Sequence, residues 1–193
     1  QVQDKLFRVH RFLFQRESEF FEALFSLNSP AEQLKQGTGD DNPLVLPGVT
    51  INEFEALLDY FYYRKARSPQ EYWILLLSIA TRYDFDEIRE HAIREISSLV
   101  PPVDPIRLVR LAFNHDVSQW LEKAYTSLCT RPHPLTPSEA TKIGPAVARR
   151  IGRCRAELIM AYHDTPIART PTENEELARK FVRKVFWPYG PST

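Results

Sequence analysis

Histidine and carboxylate side chains are best suited to bind a metal or transfer a proton, and here they are dispersed. The five histidines are His10, His91, His115, His133 and His163. None lies four residues from a second histidine with a carboxylate nearby, the spacing that a zinc site on a helix requires. Asp84, Asp86 and Glu87 cluster before a predicted helix, where compensating the helix dipole is a more common role than binding a cation. We therefore predict neither a metal site nor a cofactor.

The two cysteines raise the question of thiol chemistry. Cys129 and Cys154 form neither a CxxC motif nor a Cys/His ligand spacing, so we expect no disulfide framework and no zinc site. Cys154 lies between Arg153 and Arg155, and cationic neighbours can lower the pKa of a thiol. Catalysis would also need a base or a resolving thiol, and there is no GxSxG motif or glycine-rich phosphate loop. The chain is predicted not to be an enzyme, with a reactive-cysteine enzyme as a minor alternative.

Charge gives a second constraint on the partners. The 193 residues contain 25 basic and 25 acidic side chains, so no bulk positive charge attracts a nucleic acid backbone. A local basic run comprises Arg149, Arg150, Arg153 and Arg155. Arg149 and Arg153 share one helix face and could meet an acidic partner, although a solvated surface is the usual meaning of such a run. We predict protein partners rather than nucleic acid.

The longest apolar run, residues 73–80, is shorter than the roughly 18 residues that a membrane crossing needs. No signal peptide pattern is visible, and the scarcity of cysteine suits a reducing compartment. These features predict an intracellular protein, cytoplasmic or nuclear, without a membrane segment. The chain begins with Gln1 rather than methionine, so we expect a fragment of a longer protein.

Helix start signals organise most of the chain. Three segments have the capping-box pattern, in which a Ser or Thr and a Glu three residues later bond each other's backbone amides: Thr50–Glu53, Ser68–Glu71 and Thr136–Glu139. The helix after Ser68 is apolar nearly all round, which predicts a buried central helix up to Tyr83. About nine helices are expected in total, with a mobile loop from Asn28 to Pro43.

Two short apolar segments have the pattern of strands. Residues 5–9 and Leu44–Leu46 are rich in Leu, Val and Phe, and the second ends at Pro47-Gly48. Together with the helices they predict a helix-rich α+β fold.

Three ordered segments resemble the BTB/POZ domain family. The first is the stretch from Leu6 to Phe25, in which the family positions are occupied by His10, Arg11, Leu13, Ser18 and Phe21. The second is similar to the family's strand, turn and F-x-x-L-L-x-x-x-Y helix, through Phe54, Leu57, Leu58 and Tyr62. The third resembles its next helix pair, through Leu76, Leu77, Ala80, Tyr83, Ile88 and Arg89. The segment from Leu135 to Ala140 is similar to the helical tails of fungal BTB proteins.

The resemblance implies a domain organisation and a function. It implies a BTB/POZ-like domain over residues 1–100, a helical extension over 101–163, and a linker with a terminal helix over 164–193. It further implies self-association, such as a homodimer, or scaffolding. The alternative is a substrate adaptor of a cullin ubiquitin ligase, because in cullin-binding relatives the region corresponding to residues 28–43 carries a hydrophobic-x-Glu contact, for which Ala31 and Glu32 are the nearest analogue here.

The residues we expect to contact a partner are the aromatics that exceed the needs of one small core, together with the cullin analogue and the basic helix face. A surplus of apolar surface is a mark of a partner site. If the C-terminal helices cover these aromatics instead, the surplus has a structural explanation. The candidate residues are Phe12, Phe14, Ala31, Glu32, Phe61, Tyr62, Tyr63, Arg149 and Arg153.

Overall fold

The computed structural model describes residues 1–26, 37, 39–63, 70–164 and 170–188. The chain divides into two compact units, unit 1 (Gln1–Pro102) and unit 2 (Val103–Thr193). The predicted capping box at Ser68 and the candidate residues Ala31 and Glu32 lie outside the described residues.

Five helices form the described part of unit 1. Helix α4 packs against both α3 and α5, while α1 packs against α2 and α5. Seven side chains of α4 are buried, among them Trp73, Leu76 and Leu77, so the prediction of a buried central helix is confirmed. The helices are α1 (Arg11–Glu17), α2 (Glu19–Ser26), α3 (Ile51–Tyr63), α4 (Gln70–Arg82) and α5 (Asp86–Ser98).

The predicted capping box at the start of α3 is present. The amide of Glu53 donates to the Thr50 hydroxyl at 3.3 Å, and the amide of Thr50 donates to the Glu53 carboxylate at 2.7 Å. Ser78 of α4 donates to the other carboxylate oxygen and ties the two helices together. Burial opposes ionisation of Glu53, but the hydrogen bonds from Ser78 and Thr50 and the charge of Arg82 hold its pKa below the ordinary value.

The prediction of an α+β fold is wrong. In the described ranges, extended backbone pairs only at an isolated antiparallel bridge between Val2 and Lys5 and through two hydrogen bonds of Gln1 with Leu44 and Leu46, and the structure is helix-rich and all-α. Residues 5–9 and Leu44–Leu46 form no strands. The physical reason is that a strand exists only when a neighbouring backbone accepts and donates its hydrogen bonds, and apolar alternation by itself supplies no such neighbour. The segment after His10, for which we predicted no element, is helix α1.

Unit 2 is also helical. Helix α7 packs against α6, α9 and α10, and α8 packs against α6 and α9. Its buried side chains include Trp120, Tyr125, Leu128, Ile151 and Val182. The helices are α6 (Pro105–Asn114), α7 (Gln119–Thr130), α8 (Pro137–Ile143), α9 (Pro145–Asp164) and α10 (Pro171–Phe186).

Three helix starts of unit 2, those of α6, α8 and α10, are capped by side chains. The Asp104 side chain accepts from the Arg107 amide at 3.0 Å. Complete capping boxes begin α8 at Thr136 and α10 at Thr170, which confirms the box predicted at Thr136. Gly144 separates α8 from α9 with a φ of 87°, a conformation that strongly favours glycine.

Candidate protein-binding surface

A cluster of aromatic rings packs α1 against α3 in the interior of unit 1. Its centre is Phe14 of α1, whose side chain is only 3% exposed. The Phe14 ring lies 5.2 Å from Phe21, 6.0 Å from Phe54, 5.2 Å from Phe61 and 6.1 Å from Phe85. Rings at these separations contribute packing energy beyond the burial of their area, so both helices are held rigidly at this point.

A hydrogen-bonded pair ties the start of α1 to the end of α3. The His10 amide donates to the Tyr62 hydroxyl at 3.0 Å, and His10 Nδ1 lies 2.9 Å from the same oxygen. His10 is the N-cap residue of α1, whose side chain caps no amide of its own helix. The Tyr62 hydroxyl therefore fixes the entry into α1, while the ring of Tyr62 remains 41% exposed.

Aromatic side chains also project outward from these two tied helices. Phe12 of α1 is 65% exposed, and Tyr63, the last residue of α3, is 69% exposed. The only ring contact of Phe12 within the described structure is the guanidinium of Arg16, whose central carbon lies 5.4 Å from the ring centroid. Exposed aromatics on a rigid support are typical of protein interfaces, where they bury large area at low entropic cost.

The structure separates the candidate residues of unit 1 into two groups. Phe14 is buried and Phe61 is half-buried, so these two build the core, whereas Phe12, Tyr62 and Tyr63 face solvent. Phe12 and Phe14 are two positions apart on one helix, which places them about 200° apart around its axis. A single short helix therefore supplies one ring to the core and another to the surface.

Other exposed apolar residues were missed as surface candidates. Phe20 and Leu24 of α2 are 40% and 37% exposed, and neither is among the candidate residues. In the structure Phe21 is buried and Phe25 half-buried. The signal was present in the spacing, because 20 and 24 form one i, i+4 row and 21 and 25 form the next, 100° further around the helix.

The basic candidates of unit 2 lie on an exposed face of α9. Arg153 pairs with Glu157 at 2.9 Å, and Lys184 of α10 reaches the same carboxylate at 3.1 Å. Hydrogen bonds from Arg153 and Lys184 hold the pKa of Glu157 below its ordinary value. Arg149 is exposed on the same helix face as Arg153 and Met160, and Met160 is 64% exposed.

The cysteines are placed inside unit 2. Cys129 of α7 and Cys154 of α9 are 4% and 0% exposed. A hydrogen bond between the two thiols, reinforced by burial, raises the pKa of Cys129, and the same hydrogen bond lowers the pKa of Cys154. The hydrogen bonds of the two arginines that flank Cys154 go to other groups. Arg153 pairs with Glu157, and Arg155 donates to backbone carbonyls at the end of α7. The pair packs as a buried contact between two helices.

The acidic cluster marks the meeting point of two helix starts. Asp84, Asp86 and Glu87, together with Glu17, Glu19 and Glu22, line an open depression of about 310 Å³. Helices α2 and α5 both begin there, at Glu19 and Asp86, which fits dipole compensation. In the described part of the chain, no group of three or more His, Cys, Asp or Glu side chains, these carboxylates included, is placed so that it could hold a metal ion. None of the described helices has the length and apolarity that a membrane crossing requires.

Outward aromatics on anchored helices are typical of proteins that work by contact with other proteins. The sequence model of the BTB/POZ domain matches residues 1–98, and the chain belongs to this family. The family is one of protein–protein interaction modules, not of enzymes. A search of curated proteins found no match to the chain.

Proposed function

We propose that the chain self-associates, or scaffolds an assembly, through an aromatic surface on unit 1 formed by Phe12, Tyr62 and Tyr63. The observation that carries the proposal is the exposure of Phe12 on a helix whose next-but-one residue, Phe14, is clamped among four rings. A rigid support lowers the entropy lost when a partner docks, so each buried ring contributes more of its area to affinity.

The contact between Arg16 and Phe12 also suits a surface that must be stable in the unbound protein. Arg16 lies over the Phe12 ring and shields part of it from water in the unbound protein. The guanidinium can remain stacked or move aside when a second surface covers the ring. This supports an interface that forms and separates rather than a permanently buried one.

The test is the mass of the chain in solution as a function of concentration, measured by light scattering or sedimentation. The substitution Phe12→Ser should weaken association about 30-fold, corresponding to the roughly 2 kcal/mol that a central aromatic contributes to an interface. Tyr63→Ser should act in the same direction. Circular dichroism should remain unchanged, because both side chains project into solvent.

A matched control is Val100→Ser, which also replaces an apolar side chain of unit 1, one that is 94% exposed, by a hydroxyl. This variant should associate as the parent chain does. Equal weakening by all three substitutions would indicate a nonspecific loss of surface hydrophobicity. A chain that remains monomeric at the highest soluble concentration would contradict self-association.

The second candidate function is a cullin adaptor, and the observation that favours it is the exposure of Phe20 and Leu24 on α2. Helix α2 ends at Ser26, shortly before residues 28–43, the region that corresponds to the cullin-contacting loop of relatives. Titration against the N-terminal domain of a cullin tests this role. A Phe20→Ser, Leu24→Ser double variant should lose binding, while Phe12→Ser should keep it, and absence of binding by the parent chain would remove the adaptor role.

A further inference from the structure

Helix α9 of unit 2 has a long exposed face. The opposite side of the helix is buried in unit 2, at Ile151, Cys154 and Leu158. At 100° per residue, seven exposed positions fall within an arc of about 120°. We call this arc the α9 face, and it consists of Arg149, Gly152, Arg153, Ala156, Ile159, Met160 and His163. We propose that the α9 face binds an acidic amphipathic helix of a protein partner.

The C-terminal half of the α9 face is apolar. Ile159 and Met160 are 52% and 64% exposed, and Ala156 lies one turn before Met160. The solvent side of a helix in a globular protein normally carries charged and polar residues. Two adjacent large apolar side chains supply contact area for a partner, and the flexible thioether of methionine adapts to the surface that it meets.

The middle of the α9 face contains a glycine that the packing of unit 2 does not require. Outside its own helix backbone, a Cβ atom on Gly152 would have no heavy atom within 4 Å. Glycine in a helix interior is less favourable than alanine, so its presence here has a cost that no contact within the chain explains. Gly152 and Ala156 are one turn apart and leave a shallow channel. The backbone of a second helix can approach closely along this channel.

The N-terminal half of the α9 face has an excess of positive charge. Arg153 pairs with Glu157 at 2.9 Å, and Lys184 of α10 pairs with the same carboxylate at 3.1 Å. A single carboxylate therefore compensates two cations. Arg149 forms no ion pair with any other described residue. Carboxylates of a partner can complete the compensation of both arginines, since the side chain of Arg153 is 69% exposed.

The order of these features defines the pattern of the partner helix. From Arg149 to Met160 the α9 face rises about 16 Å, which is three helical turns. A partner helix of similar length needs apolar residues opposite Ile159 and Met160 and a small residue where it crosses Gly152. Opposite the arginines it needs Glu or Asp. All of these residues lie on one face of the partner, at the i, i+3 and i+4 spacing of a helix that docks on another surface.

The same order favours a protein over a membrane surface. A helix that lies on a membrane buries a broad apolar face and directs its basic residues to the opposite, polar side. On α9 the arginines and the large apolar residues share one face and follow each other along it, with Gly152 and Ala156 between them. A partner helix with acids in one half and apolar residues in the other matches this arrangement.

The test uses the folded chain and a capped, alanine-rich helical peptide, one face of which carries leucines over two turns and glutamates over the next two. We expect saturable binding in the micromolar range by calorimetry, weakened by added salt. A control peptide of identical composition, with its glutamates on the opposite face, should bind at least about tenfold more weakly. Met160 is the only methionine of the chain, so its ¹³C-methyl NMR signal should shift when the first peptide binds.

Substitutions locate the binding on the α9 face. Arg149→Glu should weaken peptide binding at least about tenfold, because the new carboxylate repels the glutamates of the peptide. Lys123→Glu, the same reversal at an exposed position of α7, should have little effect. Gly152→Gln places a side chain in the channel and should weaken binding by a similar factor without lowering the melting temperature, because glutamine favours a helix more than glycine does. Phe12→Ser should bind the peptide unchanged, which separates the α9 face from the proposed self-association surface.

Three results would overturn the proposal. The first is the absence of saturable binding, or equal binding of the two peptides. The second is binding to anionic phospholipid vesicles that Arg149→Glu abolishes, which would assign the α9 face to a membrane. The third is dissociation of the chain's own oligomers by Arg149→Glu, which would assign the face to a second copy of the chain.

Discussion

The two units hold their helices by different means. Unit 1 has interlocking phenylalanines at its centre, with Phe14 in contact with four other rings. Both units have capping boxes, at Thr50 in unit 1 and at Thr136 and Thr170 in unit 2, but unit 2 adds arginine contacts to the backbone around the α7–α8 loop. Aromatic packing stabilises through area and shape, whereas capping stabilises through individual hydrogen bonds, so the units should respond differently to substitution and pH.

The contrast is clearest at Arg155 of unit 2. Its guanidinium donates to the carbonyls of Leu128, Cys129, Arg131 and Pro132 at distances of 3.1, 3.2, 2.6 and 3.2 Å. Nearby, Arg131 forms a two-pronged pair with Glu139 at 2.8 and 2.7 Å. Two arginines thus fasten the end of α7 and the start of α8, where unit 1 uses rings for a similar purpose. Apolar packing thus stabilises unit 1, and side-chain hydrogen bonds to backbone carbonyls stabilise this part of unit 2.

The largest expected effect tests the aromatic centre of unit 1. Phe14→Ala should lower the free energy of unfolding by about 3–5 kcal/mol, because it removes a buried ring and leaves a cavity among four others. Phe12→Ala, two residues away on the same helix, should change it by less than about 0.5 kcal/mol. Urea unfolding of both variants measures the difference. Similar losses for the two would contradict the division of α1 into a core face and a surface face.

A smaller effect is expected for the arginine of unit 2. Arg155→Met keeps much of the aliphatic stem but removes the donors to four carbonyls, and should cost about 2 kcal/mol, the scale for charged hydrogen bonds to partly buried acceptors. Arg149→Met on the exposed face of α9 is the matched control and should cost less than about 0.5 kcal/mol. Hydrogen exchange of the last turn of α7 should speed up in the first variant alone.

Capping allows the two units to be compared with the same kind of substitution. Ser18 of unit 1 is 2% exposed, accepts from the Phe21 amide at 3.1 Å and donates to the Tyr83 carbonyl at 2.6 Å. Ser18→Ala should cost about 2 kcal/mol, since the cap is lost and the Tyr83 carbonyl loses its hydroxyl donor. Thr136→Ala in unit 2 removes an exposed cap and should cost about 1 kcal/mol. An equal cost at both sites would remove the role assigned to the Tyr83 carbonyl.

The last prediction concerns the stability of unit 2 at low pH. The hydrogen bonds from Arg131 and the Thr136 amide lower the pKa of Glu139 from its ordinary 4.5 to about 2. The folded state binds a proton at this carboxylate less readily than the unfolded state does. At pH values above the ordinary pKa, the ionised carboxylate therefore stabilises unit 2, and this contribution is lost as the pH falls toward about 2. Unfolding measured across this window should be less pH-dependent in Glu139→Gln. An unchanged pH profile would show that the pair with Arg131 contributes little.

Local patterns predicted the helices better than the strands. The Thr50 and Thr136 capping boxes marked true helix starts, because a cap depends only on residues three positions apart. The apolar residues at 5–9 and Leu44–Leu46 predicted strands, but Leu6 and Val45 are 48% and 56% exposed. No strand forms, because a ladder depends on a neighbouring segment that local composition does not specify.

The candidate surface was predicted in part. Composition indicated more aromatic residues than one core needs, and five aromatic residues of unit 1 were predicted to contact a partner. Composition could not separate Phe12 from Phe14, nor show that Tyr62 bonds the start of α1 through its hydroxyl. Nor could it show that Phe21 is buried while its neighbour Phe20 is 40% exposed. These assignments depend on helix phase and on which neighbour covers each face.

The sequence by itself determined the family, most helix starts, the absence of bulk charge and the excess of aromatic side chains. These properties follow from short-range spacing and from composition, which act before any two distant segments meet. Only the tertiary structure decided which aromatics face outward and that Arg155 fastens the end of α7. Each of these joins residues far apart in the chain, and their contact is fixed by packing rather than by local preference.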